Sequence, residues 1–170
     1  FAAFALSGYL LTRGGNSYQL AAAGAFIGII AFALVITSGN IESPLLFRIG
    51  TGFIGFGAGL LGVGTLTAAM GLAQSGHTGL ALGAWGAVQA TSQGLAIAIG
   101  GALRDVITGL AVAGDLGPTL ITPSLGYRTV YSIEIGLLVV ALIVIVPLVL
   151  RSRREDEKTA PSQFGLDQML

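Results

Sequence analysis

Residues 129–150 read TVYSIEIGLLVVALIVIVPLVL, and Glu134 is the only charged side chain among them. An α-helix rises about 1.5 Å per residue, so about 20 apolar residues cross the roughly 30 Å hydrocarbon layer of a bilayer. Three stretches of similar length and character precede this one, at residues 18–38, 45–73 and 79–103. The sequence therefore predicts four complete membrane-spanning helices, and from Gly136 onward the last of them reads as lipid-facing.

A shorter apolar stretch opens the chain at Phe1 and continues to about residue 12. We interpret it as the end of a further span, which gives one partial and four complete helices. The connections between spans are rich in Gly, Asn, Ser and Pro, which favour turns between antiparallel helices. The predicted fold class is all-α: a polytopic transmembrane helix bundle over residues 1–150, followed by a polar tail over residues 151–170.

The composition excludes several function classes. The chain is 54% apolar and 9% charged, whereas an ordinary soluble domain is about 25% charged. It carries no basic stripe with interleaved aromatic residues, so nucleic-acid binding has no support. It has no cysteine, and its lone histidine, His77, has no companions at metal-ligand spacing, so we predict no metal site. No catalytic constellation is present, and we expect no enzymatic activity.

Basic residues near span ends predict orientation, because they are enriched on the cytoplasmic side. If the connections alternate sides, one side carries five basic residues and the other carries Arg48, Arg104 and Arg128. The richer side includes the tail, so we predict a cytoplasmic C-terminus. Its basic residues are Arg13, Arg151, Arg153, Arg154 and Lys158.

Glycine is concentrated in the second and third complete spans. Four glycines recur every seven residues in span 45–73, and Gly83 and Gly86 lie near the start of span 79–103. Small residues let helix backbones approach closely in lipid, and this drives helix association there. We expect both spans to be closely packed, and one arrangement that would achieve this is a contact between the two spans themselves. The alternative is that these glycines are merely tolerated. The four at seven-residue spacing are Gly50, Gly57, Gly64 and Gly71.

Polar side chains in the middle of span 79–103 are the first candidate contacts. Gln89 and Gln93 are four residues apart and share a helix face, which Ser92 borders. An unsatisfied amide in hydrocarbon is costly, so both need partners. These partners are a bound substrate or pigment, or a neighbouring helix, and the sequence leaves both open. Trp85, on the same span, is either a ligand contact or an interfacial aromatic residue.

Glu134 lies about five residues into the last span, roughly 7–8 Å along the helix axis. Ionisable groups at such depth are rare and usually paired or functional. Arg104 and Asp105 end the preceding span on the same side, and Arg48 begins another there. We predict a charge cluster of Glu134 with Arg104 or Arg48. The alternative is interfacial snorkelling with a single salt bridge.

Two motifs resemble a known family. Residues 8–15, GYLLTRGG, resemble the second glycine–basic loop motif of the major facilitator superfamily, which lies between its eighth and ninth helices. Residues 79–94, GLALGAWGAVQATSQG, with residues 100–105, GGALRD, resemble the eleventh helix of the PucC/LhaA group, the bacteriochlorophyll-delivery branch of that superfamily. The resemblance implies the C-terminal half of a major-facilitator-type fold, from the end of helix eight to helix twelve.

The resemblance also implies a function. It indicates a light-harvesting complex assembly factor in a phototrophic bacterium, which delivers bacteriochlorophyll to antenna polypeptides or chaperones them. The implied ligand is bacteriochlorophyll or a related tetrapyrrole, and the implied partners are antenna polypeptides, the reaction-centre core and membrane lipid. The implied location is the cytoplasmic or intracytoplasmic photosynthetic membrane. The alternatives are a secondary transporter of a small solute and an accessory structural subunit of a photosynthetic membrane complex.

Overall fold

The computed structural model describes residues 1–73, 77–117, 122 and 124–159, and within them all regular structure is helical. The helices are α1 (Ala2–Thr12), α2 (Ser17–Asn40), α3 (Pro44–Gly71), α4 (Thr78–Ala113) and α5 (Leu125–Thr159). Four of them contain stretches long and apolar enough to cross a membrane, and α1 is a shorter apolar helix. The prediction of an all-α, multi-pass membrane protein is confirmed. Residues 160–170 of the predicted tail lie outside the described residues.

Local sequence signals set the helix ends. The Asn16 side chain accepts hydrogen bonds from the backbone N–H groups of Tyr18 and Gln19, which caps the start of α2. Ser43 caps α3 in the same way, and proline follows it at the first helical position. The fourth helix continues ten residues beyond the predicted end of its span. It passes through the charged Arg104–Asp105 pair and ends at Gly114, which adopts a left-handed conformation with φ of 82°.

The closest helix pair is α2 with α3, and it is built from glycine and alanine. An ideal Cβ atom placed on Gly57 would lie 2.8 Å from the Gly24 carbonyl oxygen and 3.0 Å from the Gly28 nitrogen. One placed on Gly64 would lie 2.6 Å from the Ala21 nitrogen. The two backbones therefore approach so closely that only a hydrogen atom fits at these positions of α3.

The glycines of the seven-residue series do not all lie at this contact. A Cβ on Gly50 would lie 2.7 Å from the Val35 side chain, so Gly50 also faces α2. The glycine face of α3 thus packs against α2 rather than against α4. Among the described residues, three of the glycines predicted to pack closely have no neighbouring atom within 4 Å of an added Cβ. They are Gly71, Gly83 and Gly86.

Helix α5 runs antiparallel to α2, and Gly28 of α2 contacts both α3 and α5. The Leu138 side chain reaches the backbone of α2 at Gly28, where an added Cβ would lie 3.0 Å from it. The rings of Phe32 and Tyr131 lie 5.7 Å apart between their centroids. At one end of the pair, Asn16 donates a hydrogen bond to Ser152. The start of α2 and the C-terminal end of α5 therefore lie on the same side of the bundle.

Candidate functional site

Helix α4 carries four of its polar or amphipathic side chains on one gently winding stripe. Trp85, Gln89 and Gln93 follow each other at four-residue intervals, and Arg104 lies three turns beyond Gln93 on the same side. From Trp85 to Arg104 the helix rises about 29 Å, close to the thickness of the hydrocarbon layer. The stripe therefore places polar groups at successive depths across the membrane.

The first part of the stripe faces a groove between α1, α3 and α4, here called the α3–α4 groove, with a volume of about 390 Å³. Its α3 wall is made largely of small residues, and Gly55 and Gly62 have no neighbour within 4 Å of an added Cβ. The indole N–H of Trp85 donates to the Thr65 hydroxyl at 3.3 Å and joins the two walls. The residues lining the groove are Phe4, Gly55, Ala58, Gly59, Gly62, Val63, Leu66, Trp85, Gln89 and Gln93.

The second part of the stripe faces a groove between α4 and α5, here called the α4–α5 groove, of about 310 Å³. Gln93 lines both grooves and stands where they meet. Two tyrosines and Glu134 supply the polar groups of the α5 wall. The lining residues are Gln93, Ala96, Ile97, Gly100, Gly101, Arg104, Tyr127, Val130, Tyr131 and Glu134.

The charged candidates are only partly brought together. The Arg104 guanidinium donates to the neighbouring Asp105 carboxylate, with a 2.8 Å bond from Nε, and to the Tyr127 hydroxyl at 3.1 Å. This is the one ion pair among the side chains that the structure describes, which do not include those of residues 155–159. Glu134 lines the same groove as Arg104 without forming an ion pair with it. Arg48 is exposed and lines a separate groove along α3.

Both mid-membrane amides are left without an internal partner. Gln89 and Gln93 are exposed in this chain. Within the described residues, the side-chain hydrogen bonds of α4 are those of Trp85 and of Arg104 with Asp105. An unpaired amide in hydrocarbon costs several kcal/mol, so Gln89 and Gln93 remain the candidate contact residues of these grooves.

Two other polar residues of α4 lie away from the grooves. Ser92 is exposed and lines neither groove, although its position borders the Gln89 face. His77 is exposed at the N-cap of α4, and its side chain makes no capping hydrogen bond. The structure thus separates Gln89, Gln93 and Trp85, which share a groove, from Ser92.

Sequence reasoning missed three polar contributors to these sites. Thr65 accepts the Trp85 indole hydrogen bond, and the four-residue spacing of Tyr127 and Tyr131 places both rings on the α5 wall. A usable signal existed for the tyrosines, since Tyr127, Tyr131 and Glu134 recur at helical spacing on one face of α5. No local signal pointed to Thr65, because its partner lies 20 residues away in the chain.

Comparison with known proteins decides the family. The family described as PUCC protein matches residues 1–153, which include all five helices over their apolar lengths and both grooves. This chain belongs to the PucC family. The predicted resemblance to that family is confirmed.

Curated PucC relatives are considerably longer than this chain. A Rhodobacter capsulatus protein described as an uncharacterized protein in the puhA-bchM intergenic region is 47% identical over 146 residues, which cover 86% of this chain and 30% of its own length. Protein PucC of Cereibacter sphaeroides is 40% identical over 145 residues, which cover 85% of this chain and 30% of the relative's length. The chain therefore spans about 30% of the length of these relatives. No solved structure matches it.

Proposed function

We propose that this PucC family protein is a light-harvesting complex assembly factor of a phototrophic bacterium. It delivers bacteriochlorophyll to antenna polypeptides or chaperones them, and it is not an enzyme. It acts in the inner or photosynthetic membrane, beside the antenna polypeptides and the reaction-centre core, with its C-terminus in the cytoplasm. Its fold is the C-terminal half of a major-facilitator-type bundle. Membership of the PucC family and the motifs at residues 79–94 and 100–105 support this proposal.

One structural observation supports pigment binding above the others. The α3–α4 groove offers apolar and glycine walls together with two amides that have no partner in the described chain. Ligand sites are generally apolar clefts with a few convergent polar groups. A flat tetrapyrrole can approach a helix backbone closely where glycines line the wall, because no side chain stands between them. The amides of Gln89 and Gln93 then donate hydrogen bonds to carbonyl groups on the edge of the macrocycle.

The first test is an absorption spectrum of the protein purified gently from its native membrane, with identification of the polypeptides that accompany it. Bacteriochlorophyll bands with antenna polypeptides at low, variable stoichiometry are the expected result. A fixed integer stoichiometry within a mature complex would instead indicate an accessory subunit. A colourless protein without photosynthetic partners would overturn the proposal and favour solute transport.

The second test concerns the groove itself. Replacing Gln89 and Gln93 together by Leu removes both amide donors but keeps the helix apolar, so we expect loss of bound pigment at an unchanged amount of protein in the membrane. Ser92→Ala is the matched control, because Ser92 lies on the same helix outside both grooves. Unchanged pigment content in the double variant would show that the α3–α4 groove is not the pigment site.

A further inference from the structure

A further groove lies at the end of the bundle opposite Ser152, where α2 ends and α3 and α5 begin. Its volume is about 310 Å³, and it adjoins the α4–α5 groove, because Tyr127 and Tyr131 form part of the wall of both. Its inner walls are apolar and come from Val35, Ile36 and Phe47. Its rim carries Ser124 and Arg128. The groove therefore has a polar mouth and an apolar interior.

The position of this groove suits a membrane boundary. Val35 lies five residues before the end of α2 at Asn40, so the groove extends roughly 7–8 Å inward from the helix ends. Phe47, in the wall of the groove, leaves its apolar ring 48% exposed at the side of the bundle. Such a surface in a membrane-spanning helix faces acyl chains. The groove thus opens toward the headgroup layer at one end and toward lipid along its side.

The charge at the mouth is not neutralised within the described chain. Arg128 is exposed, and the one ion pair among the described side chains belongs to Arg104 and Asp105. The adjacent residues 118–121 and 123 contain no acidic residue. Glu42 and Asp115 lie in the connections at the same end of the bundle, but neither forms an ion pair with Arg128. The acidic residues of the tail begin at Glu155, about 40 Å farther along α5. A guanidinium group in this setting favours a phosphate, which it binds through paired N–H donors.

We propose that this groove binds an anionic phospholipid. The lipid phosphate pairs with Arg128 and accepts a hydrogen bond from the Ser124 hydroxyl, and an acyl chain lies against Val35, Ile36 and Phe47. Basic pockets between membrane helices recognise anionic headgroups in this way. The apolar walls distinguish a lipid from free phosphate, since phosphate alone would leave them in contact with water. This site does not depend on the proposed role in pigment delivery.

Thermal unfolding of the purified protein in detergent tests the site, with Trp85 fluorescence as the readout. At saturation, phosphatidylglycerol should raise the Tm by about 2–4 °C, because a ligand that binds the folded state stabilises it. Phosphatidylcholine and inorganic phosphate should produce no comparable rise. Equal rises with both lipids, or a rise with inorganic phosphate alone, would overturn the proposal.

Matched variants locate the binding. Arg128→Gln should abolish the rise with phosphatidylglycerol, whereas Arg153→Gln, at the other end of the same helix, should retain it. Arg128→Lys should keep part of the rise, because it preserves the charge but loses the paired geometry. Ile36→Phe, which adds bulk in the groove, leaves Arg128 intact and introduces no second tryptophan, should also abolish it. A full rise in Arg128→Gln would show that this groove is not the lipid site.

Discussion

Trp85 is the residue through which α4 is hydrogen-bonded to α3. Its indole N–H reaches the Thr65 hydroxyl at 3.3 Å, and its ring forms part of the α3–α4 groove. The sequence allowed two interpretations of Trp85, a ligand contact or an aromatic residue at the membrane interface. In the structure it lines the groove and holds the groove walls together, which makes it a positioning residue for the proposed pigment site.

A double-mutant cycle measures this contact. Trp85→Phe keeps an aromatic ring and removes the donor, and Thr65→Val keeps the side-chain shape and removes the acceptor. We expect a coupling free energy of about 0.5–1.5 kcal/mol, the usual net value of a protein hydrogen bond. Thermal unfolding followed by circular dichroism gives the stability of the unchanged protein, the two single variants and the double variant. A coupling of zero would show that α3 and α4 are not joined at this position.

The predicted pairing of Glu134 with an arginine depended on contacts that the sequence does not specify. The depth of Glu134 in the last span made it a candidate for pairing with a nearby arginine. The structure places it in the same groove as Arg104, but that guanidinium is occupied by Asp105 and Tyr127. The pairing could not be read from the sequence, because it depends on which side chains the packing of α4 and α5 brings within reach.

Helix α3 has two glycine faces with different surroundings. One face, containing Gly57, contacts the backbone of α2, and the other lines the open α3–α4 groove. The seven-residue spacing of Gly50, Gly57, Gly64 and Gly71 predicted close packing of this helix, and in the structure Gly71 has no neighbouring atom within 4 Å of an added Cβ. The spacing could not tell which helix the Gly57 face meets, because α2 and α4 both offer small residues.

Alanine substitutions separate the two kinds of glycine. Gly57→Ala places a methyl group against the backbone of α2, and we expect a loss of about 1–3 kcal/mol in the free energy of unfolding, as for other overpacked sites. Gly52→Ala is the control on the same helix, since Gly52 has no neighbour within 4 Å of an added Cβ and alanine favours helix. Equal stabilities of the two variants, measured by thermal unfolding in detergent, would contradict the close α2–α3 contact.

At the scale of the whole molecule, the helices alternate direction, and the hydrogen bond between Asn16 and Ser152 places the α1–α2 connection beside the C-terminal end of α5. The side that holds both is also the side with more basic residues in the sequence. The positive-inside rule therefore predicts that this is the cytoplasmic side.

Cysteine labelling tests this orientation directly, because the chain has no cysteine of its own. Thr12→Cys lies at the end of α1 on the predicted cytoplasmic side, and Ile41→Cys lies in the α2–α3 connection on the other side. A membrane-impermeant maleimide added to intact cells should label Ile41→Cys and leave Thr12→Cys unmodified until the cells are opened. The reverse pattern would place the C-terminus outside the cytoplasm.

The sequence by itself determined the helices, the number of spans and the family. Each is a local property: a bilayer forces any apolar segment of about 20 residues to satisfy its backbone internally as a helix, and the motifs near Trp85 and Arg104 are contiguous. Only the tertiary structure decided that α3 meets α2 through Gly57, that Gln93 stands between two grooves, and that Arg128 lies at the mouth of another groove. These depend on distances between residues far apart in the chain, which no local pattern specifies.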